Sequence, residues 1–149
     1  MAIQVGVRAP NIKTSAFSLA SLKGQRVVVF FFPKADTPGC TKEACEFRDS
    51  AKIFAKQNAA IIGISPDQPA AHAKFATKYG LPYTLVADPD HAIAEAYGVW
   101  KEKSMYGRKY MGIERTTFVI DEKGKIAHIF AKVKPVGHAA QVLEALRAA

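Results

Sequence analysis

The chain has 149 residues, 49% of them hydrophobic and 23% charged, with 21 Lys and Arg against 13 Asp and Glu for a net charge of +8. This composition excludes disordered and fibrous classes, and no apolar run approaches the ~18 residues of a membrane span. A chain of this length suits one domain, 1–149, that buries roughly 70% of its unfolded surface and folds without disulfide staples.

In chain order, a short hairpin is expected around Phe17 to Leu19. Val27 to Phe32 is a continuous apolar, β-rich run, which predicts a strand buried on both faces and stopped by Pro33. Cys40 to Asn58 reads as a helix, with Ala44, Phe47, Ala51, Phe54 and Ala55 at spacings of three and four. Ala59 to Ile64 is a second buried strand. Asp67 to Tyr79 is a helix with Pro69 in its first turn and Gly80 after its end. Thr84 to Ala87 is a short strand, and His91 to Tyr97 a short helix closed by Gly98. Lys101 to Lys109 reads as a basic loop. Arg115 to Ile120 and Lys125 to Val133 are strands joined by Asp121-Glu-Lys-Gly124, a hairpin signal. Pro135 leads into a last helix ending near Arg147. Parallel βαβ units followed by an antiparallel hairpin and a closing helix predict an α/β class with a mixed sheet covered on both faces, a pattern that resembles the thioredoxin fold.

Two cysteines are too few for a disulfide scaffold, and in a reducing compartment a close pair is redox-active or metal-binding. The N-terminus has no basic segment followed by an apolar one, so no signal peptide and a cytoplasmic location are expected. The basic residues run from Arg8 to Arg147 without alternating with aromatics, which predicts a solvated surface, with no nucleic-acid or membrane partner.

Cys40 follows a central strand at the expected start of a helix. Ligands of open α/β sheets bind at the carboxyl ends of strands. The helix terminus offers partial positive charge and free N–H groups, both of which favour a thiolate. Pro38 and Gly39 fit a tight turn into the helix, and Thr37 places a hydroxyl one turn before the sulfur. Thiolate supply alone does not make a fast enzyme. An ordinary thiol is about 3% ionised at pH 7, and lowering its pKa to ~6 raises that roughly 30-fold. Nucleophilicity then falls by ~10–20-fold, leaving a net factor of two or three. The remaining rate must come from donors that align the reacting bond and stabilise developing charge.

The motif Pro33-x-x-x-Thr37-x-x-Cys40 resembles the peroxiredoxin active site. Thr37-Pro-Gly-Cys40-Thr-x-Glu-Ala-Cys45 is similar to the Q-type branch, the bacterioferritin-comigratory proteins, and so are Gly98-Val-Trp100 and the basic stretch after it. The resemblance implies that Cys40 attacks the peroxide, that Cys45 resolves the sulfenic acid as an intramolecular disulfide, and that Thr37 and Arg115 contact the peroxide oxygens. It implies hydroperoxide substrates, thioredoxin or a similar dithiol reductant, a monomer, and no cofactor. Phe32 departs from the tyrosine that many relatives carry before the proline. Pro33 is expected to end the strand and shield the site, and Glu43 to be a favourable charge in the first helical turn.

A zinc site would need four ligands. Only two sulfurs exist, and His72, His91, His128 and His138 are isolated in sequence, so no metal is expected. A thiol-disulfide oxidoreductase would use Cys-x2-Cys, whereas this pair is Cys-x4-Cys.

Overall fold

The computed structural model describes residues 3–15 and 17–148. In chain order its elements are β1 (Arg26–Phe31), α1 (Pro38–Asp49), α2 (Ala51–Lys56), β2 (Ala59–Ser65), α3 (Pro69–Tyr79), β3 (Thr84–Ala87), α4 (Ala92–Ala96), β4 (Trp100–Met105), β5 (Arg108–Ile113), β6 (Thr116–Ile120), β7 (Ile126–Phe130) and α5 (His138–Ala148). Five strands form one mixed sheet in the order β3-β2-β1-β6-β7. β1 pairs in parallel with β2 and antiparallel with β6.

Strand alternation divides the core in two. Val28, Phe30 and Phe32 face Phe47 of α1, Phe54 of α2, Phe75 of α3 and the apolar face of α5. Val27, Val29 and Phe31 face the opposite layer with Ile62, Ile64, Tyr97 and Phe118. Period-two alternation with both faces apolar is what a central strand needs.

The register positions the chemistry. Phe31 lies opposite Thr116, so Arg115, one residue earlier, sits where β1 ends and the loop to α1 begins. On the other side Phe31 lies opposite Ile64, and the Phe32 amide donates to the Ile64 carbonyl at 2.9 Å.

Three expectations need correction. The helix expected over 40–58 is two helices, because α1 ends at Asp49 and Ser50 interrupts the chain. The Ser50 amide bonds the Glu46 and Phe47 carbonyls, and Phe54 of α2 joins Phe47 of α1 in the same core. The hairpin around Phe17 to Leu19 shrinks to one bridge, Lys13 with Ser18, followed by a 3₁₀ turn at Leu19–Leu22. The basic loop is a regular hairpin, β4 with β5, closed by Tyr106 and Gly107, both with positive φ (52° and 78°). Its strands carry charges on both faces, so they lack the alternation that marks a half-buried strand. No helix among the described residues is long and apolar enough to cross a membrane.

Gly63 is the most closely approached of the glycines. A methyl there would lie 2.8 Å from both Leu85 Cδ2 and Phe30 Cζ, and Phe30 stacks on Phe47 at 4.7 Å. Gly63→Ala is expected to destabilise the fold by roughly 1–3 kcal/mol through overpacking. Denaturant unfolding measures this, and an unchanged midpoint would contradict it.

Candidate active site

β1 delivers the chain to a loop over 33–37, and α1 leaves from it. Pro33, half-buried, opens the loop. Asp36 adopts φ 61°, an αL conformation that aspartate tolerates better than most residues. Thr37 is the N-cap and Pro38 the first helical residue, so Cys40 is the third. Its amide is among the first four that a helix leaves without an internal acceptor. The Thr37 hydroxyl donates to the Lys34 carbonyl at 2.7 Å and makes no capping bond, which tightens the loop.

Two anchors hold this loop. Inside, the Ala35 amide donates to Asp67 Oδ2 at 2.8 Å. That oxygen also accepts from the Ser65 hydroxyl at 2.6 Å, and Ser65 meets His72 Nε2 at 2.5 Å. Burial pushes the His72 pKa down, against the pull of Asp67. Outside, Lys78 Nζ lies 2.9 Å from Asp36 Oδ2 and the Tyr79 hydroxyl donates to Oδ1 at 2.8 Å. The sequence reads Asp67 only as the start of a helix and His72 as an isolated histidine; their partnership depends on the β2–α3 connection, which sequence spacing does not display.

The reactive centre is compact. Cys40 is 1% exposed. Arg115 Nη2 lies 3.3 Å from Cys40 Sγ, and Nη1 donates to Glu43 Oε1 at 2.9 Å. The guanidinium lies against Gly39, where a methyl would be 3.4 Å from Nη2. Burial works to lower the Arg115 pKa, but Cys40 and Glu43 outweigh it and hold the value above the usual range. The Val133 amide donates to the Arg115 carbonyl at 2.9 Å and fixes the backbone behind the side chain.

Glu43 corrects the sequence reading. It is not a charge in the first turn but lies in the second, completely buried, with Oε2 lacking a hydrogen-bond partner. Burial pushes its carboxyl up to about 7, opposed by Arg115. The signal was present: Cys40, Glu43, Ala44 and Phe47 occupy i, i+3, i+4 and i+7, the stripe that faces a core.

Of the five expected site residues, Cys40 and Arg115 are in contact, while Thr37 and Pro33 belong to the loop that presents them. Cys45 lies farther along α1, half-buried, and both sulfurs are free. Five residues apart in a helix means about 140° of rotation, so the two thiols point to different sides. Among the described residues no group of three or more His, Cys, Asp or Glu side chains could hold a metal ion.

Comparison with known proteins converges on one group. The AhpC/TSA family matches residues 5–129. The chain is 45% identical over 152 residues to peroxiredoxin Bcp of Bacillus subtilis, covering 99% of this chain and 97% of the relative. It is 45% identical over 138 residues to peroxiredoxin Bcp of Escherichia coli K12, covering 93% and 88%. Among solved structures, the bacterioferritin comigratory protein of Xanthomonas campestris, studied for its alkyl peroxide reduction, superposes with a TM-score of 0.88 at 36% identity, covering 97% of this chain and 98% of that one. The chain therefore belongs to the AhpC/TSA family, with a thioredoxin-like fold and the activity of a thiol peroxidase. Within that family its relatives are the Q-type, or bacterioferritin-comigratory, peroxiredoxins.

The raised Glu43 pKa has a signed consequence. The folded chain holds this proton more tightly than the unfolded chain, whose carboxyl titrates near 4.5. The associated stability is therefore fully present below pH ~4.5 and is lost as pH rises through about 7. Glu43→Gln should remove this loss, gaining on the order of 3 kcal/mol at pH 8 relative to pH 4.5 when compared with the parent. Urea midpoints at the two pH values measure it, and equal pH slopes in both proteins would contradict it.

Proposed function

We propose that Cys40 is the peroxidatic thiolate, Arg115 and Thr37 its catalytic partners, and Cys45 the resolving thiol, in a monomeric single-domain cytoplasmic enzyme that uses no cofactor or metal. The observation that carries this reading is the guanidinium 3.3 Å from a buried sulfur at a helix start. Pro33 has the supporting role of ending β1 and covering the loop.

The Cys40 thiolate attacks the terminal oxygen of a hydroperoxide, ROOH. An S–O bond forms and the O–O bond breaks, giving Cys40–SOH and RO⁻, which takes a proton to become ROH. The charge that develops on RO⁻ is stabilised by the Arg115 guanidinium and by the free N–H groups at the start of α1. The Thr37 hydroxyl spends its hydrogen on the Lys34 carbonyl, so its oxygen remains free to accept from the HO– end of the peroxide. Cys45–SH then condenses with Cys40–SOH, forming the disulfide and releasing water. A dithiol protein of the thioredoxin type reduces the disulfide by exchange and restores both thiols.

The condensation requires a change of shape. In a regular helix Cα atoms five residues apart lie roughly 8.7 Å apart, whereas a disulfide needs about 4.4–6.8 Å. Residues 41–46 must leave the helix before the two sulfurs meet.

Peroxide consumption coupled to thioredoxin, its reductase and NADPH tests the assignment. Cys40→Ser should fall to background, because a serine hydroxyl without an adjacent base is a poor nucleophile. Cys45→Ser should oxidise once and then stop, leaving sulfenic or over-oxidised Cys40 visible by mass spectrometry. Sustained turnover in either variant would overturn the corresponding role.

A further inference from the structure

Four contacts from outside α1 or from its far end restrain the segment that must unwind. Arg115 holds the Glu43 side chain at 2.9 Å, and the Gly137 amide holds the Glu46 side chain at 2.9 Å. Arg48, beyond Cys45, donates to the Tyr79 carbonyl at 2.8 Å. The fourth is different in kind: the Tyr83 hydroxyl donates to the backbone carbonyl of Ala44 at 2.7 Å. Among the described residues, this is the one side-chain hydrogen bond from outside α1 to α1 backbone between the two cysteines. Within the helix that carbonyl is also the acceptor for the Arg48 amide, so Tyr83 occupies its second lone pair.

We propose that Tyr83 is a positioning residue that latches the helix between Cys40 and Cys45 and thereby sets the lifetime of the Cys40 sulfenic acid. The inference rests on the reading of Cys45 as the resolving thiol. Bringing the cysteines within disulfide range shortens their Cα separation by at least ~2 Å. A hydrogen bond of 2.7 Å does not survive a displacement of that size at the intervening residue. The latch must therefore open before the sulfurs join.

The surroundings suit a latch. Tyr83 opens the turn into β3, and its ring packs edge-on against Phe30 with centroids 5.8 Å apart. Phe30 stacks on Phe47 of α1, so the hydroxyl is carried by the rigid core against which the helix rests. Burial, together with the nearby Cys45 and Glu43, pushes the phenol pKa well above its usual range, against the pull of Arg48, so the hydroxyl stays a neutral donor. Among the described residues, the phenol hydroxyl bonds the Ala44 carbonyl and makes no hydrogen bond to Cys40 or Arg115.

The two fates of the sulfenic acid make the latch consequential. Cys40–SOH either condenses with Cys45, losing water, or meets a second hydroperoxide, which oxidises it to sulfinic acid and is itself reduced to ROH. A tighter latch lengthens the exposure to the second peroxide. A looser one speeds condensation but shortens the residence of the intact pocket.

Tyr83→Phe removes the hydroxyl and keeps the ring. One net hydrogen bond corresponds to about a fivefold change in the unwound population. Rapid mixing of reduced protein with hydrogen peroxide, acid quench and mass spectrometry separate the two steps: gain of oxygen on Cys40, then loss of water as the disulfide forms. Thermal unfolding of the reduced variant confirms that it is folded before the rates are compared. The expected result is disulfide formation roughly 3–10-fold faster in Tyr83→Phe, with the oxygen-gain rate within twofold of the parent. The peroxide concentration that over-oxidises half the protein should rise by a similar factor. Disulfide formation no faster than in the parent would overturn the latch. So would a loss of both rates together, which is what a merely structural role would give. If the parent itself forms no Cys40–Cys45 disulfide, the resolving role of Cys45 fails and the latch with it.

Discussion

One guanidinium carries two partners. Arg115 reaches the Cys40 sulfur with one nitrogen and the buried Glu43 carboxyl with the other, at 3.3 and 2.9 Å. A planar fork fixes both directions at once, whereas an ammonium is a single point charge with rotatable donors. Because Glu43 is fully buried with one oxygen unpartnered, its charge is expensive and its pKa rises to about 7. The carboxyl can thus be neutral near physiological pH, which in the proposed chemistry would leave Arg115 free to serve the sulfur and then the departing alkoxide. Such a preset donor is the kind of contribution that thiolate supply alone does not provide.

The fold exists, in this sense, to deliver two chain segments to one point. Antiparallel pairing of β1 and β6 brings Arg115 to the end of β1, and the parallel partner β2 ends beside it at Ser65. From there Asp67 grips the Ala35 amide, and Lys78 and Tyr79 of α3 hold Asp36, so the loop that presents Cys40 is fastened to groups outside α1. That division of labour matters chemically. The start of α1 can unwind, once its side-chain restraints release, while the strands and the loop anchors stay in place.

Much of this was legible in the sequence because the relevant patterns are local. Val27 to Phe32 and Ala59 to Ile64 are apolar runs that can only be central strands, and Gly80 and Gly98 mark helix ends. The Pro-Gly-Cys turn was read from the residues themselves and Arg115 from motif resemblance, and their contact follows from strand register. What escaped depends on tertiary context. Glu43 was read as a favourable first-turn charge because an acid near a helix start has a ready electrostatic role, although its spacing from Cys40 and Phe47 placed it inward. The break at Ser50 has no proline or glycine to announce it. The β4–β5 hairpin carries charges on both faces, so its strands gave no hydrophobic period. The Ser65, Asp67 and His72 cluster and the Tyr83 bond to Ala44 join residues whose proximity only the folded chain creates.

The central claim is that the peroxide-ready pocket and the disulfide require mutually exclusive conformations of one stretch of backbone. In the reduced structure Cys40 and Cys45 lie on a single regular helix, with both sulfurs free. Amide hydrogen exchange on the fully reduced and fully disulfide-bonded protein reads this stretch directly. The account predicts that residues 41–46 are protected in the reduced protein and lose most of that protection on oxidation, while β1, β2 and β6 exchange alike in both states. Equal protection of 41–46 in the two redox states would contradict it.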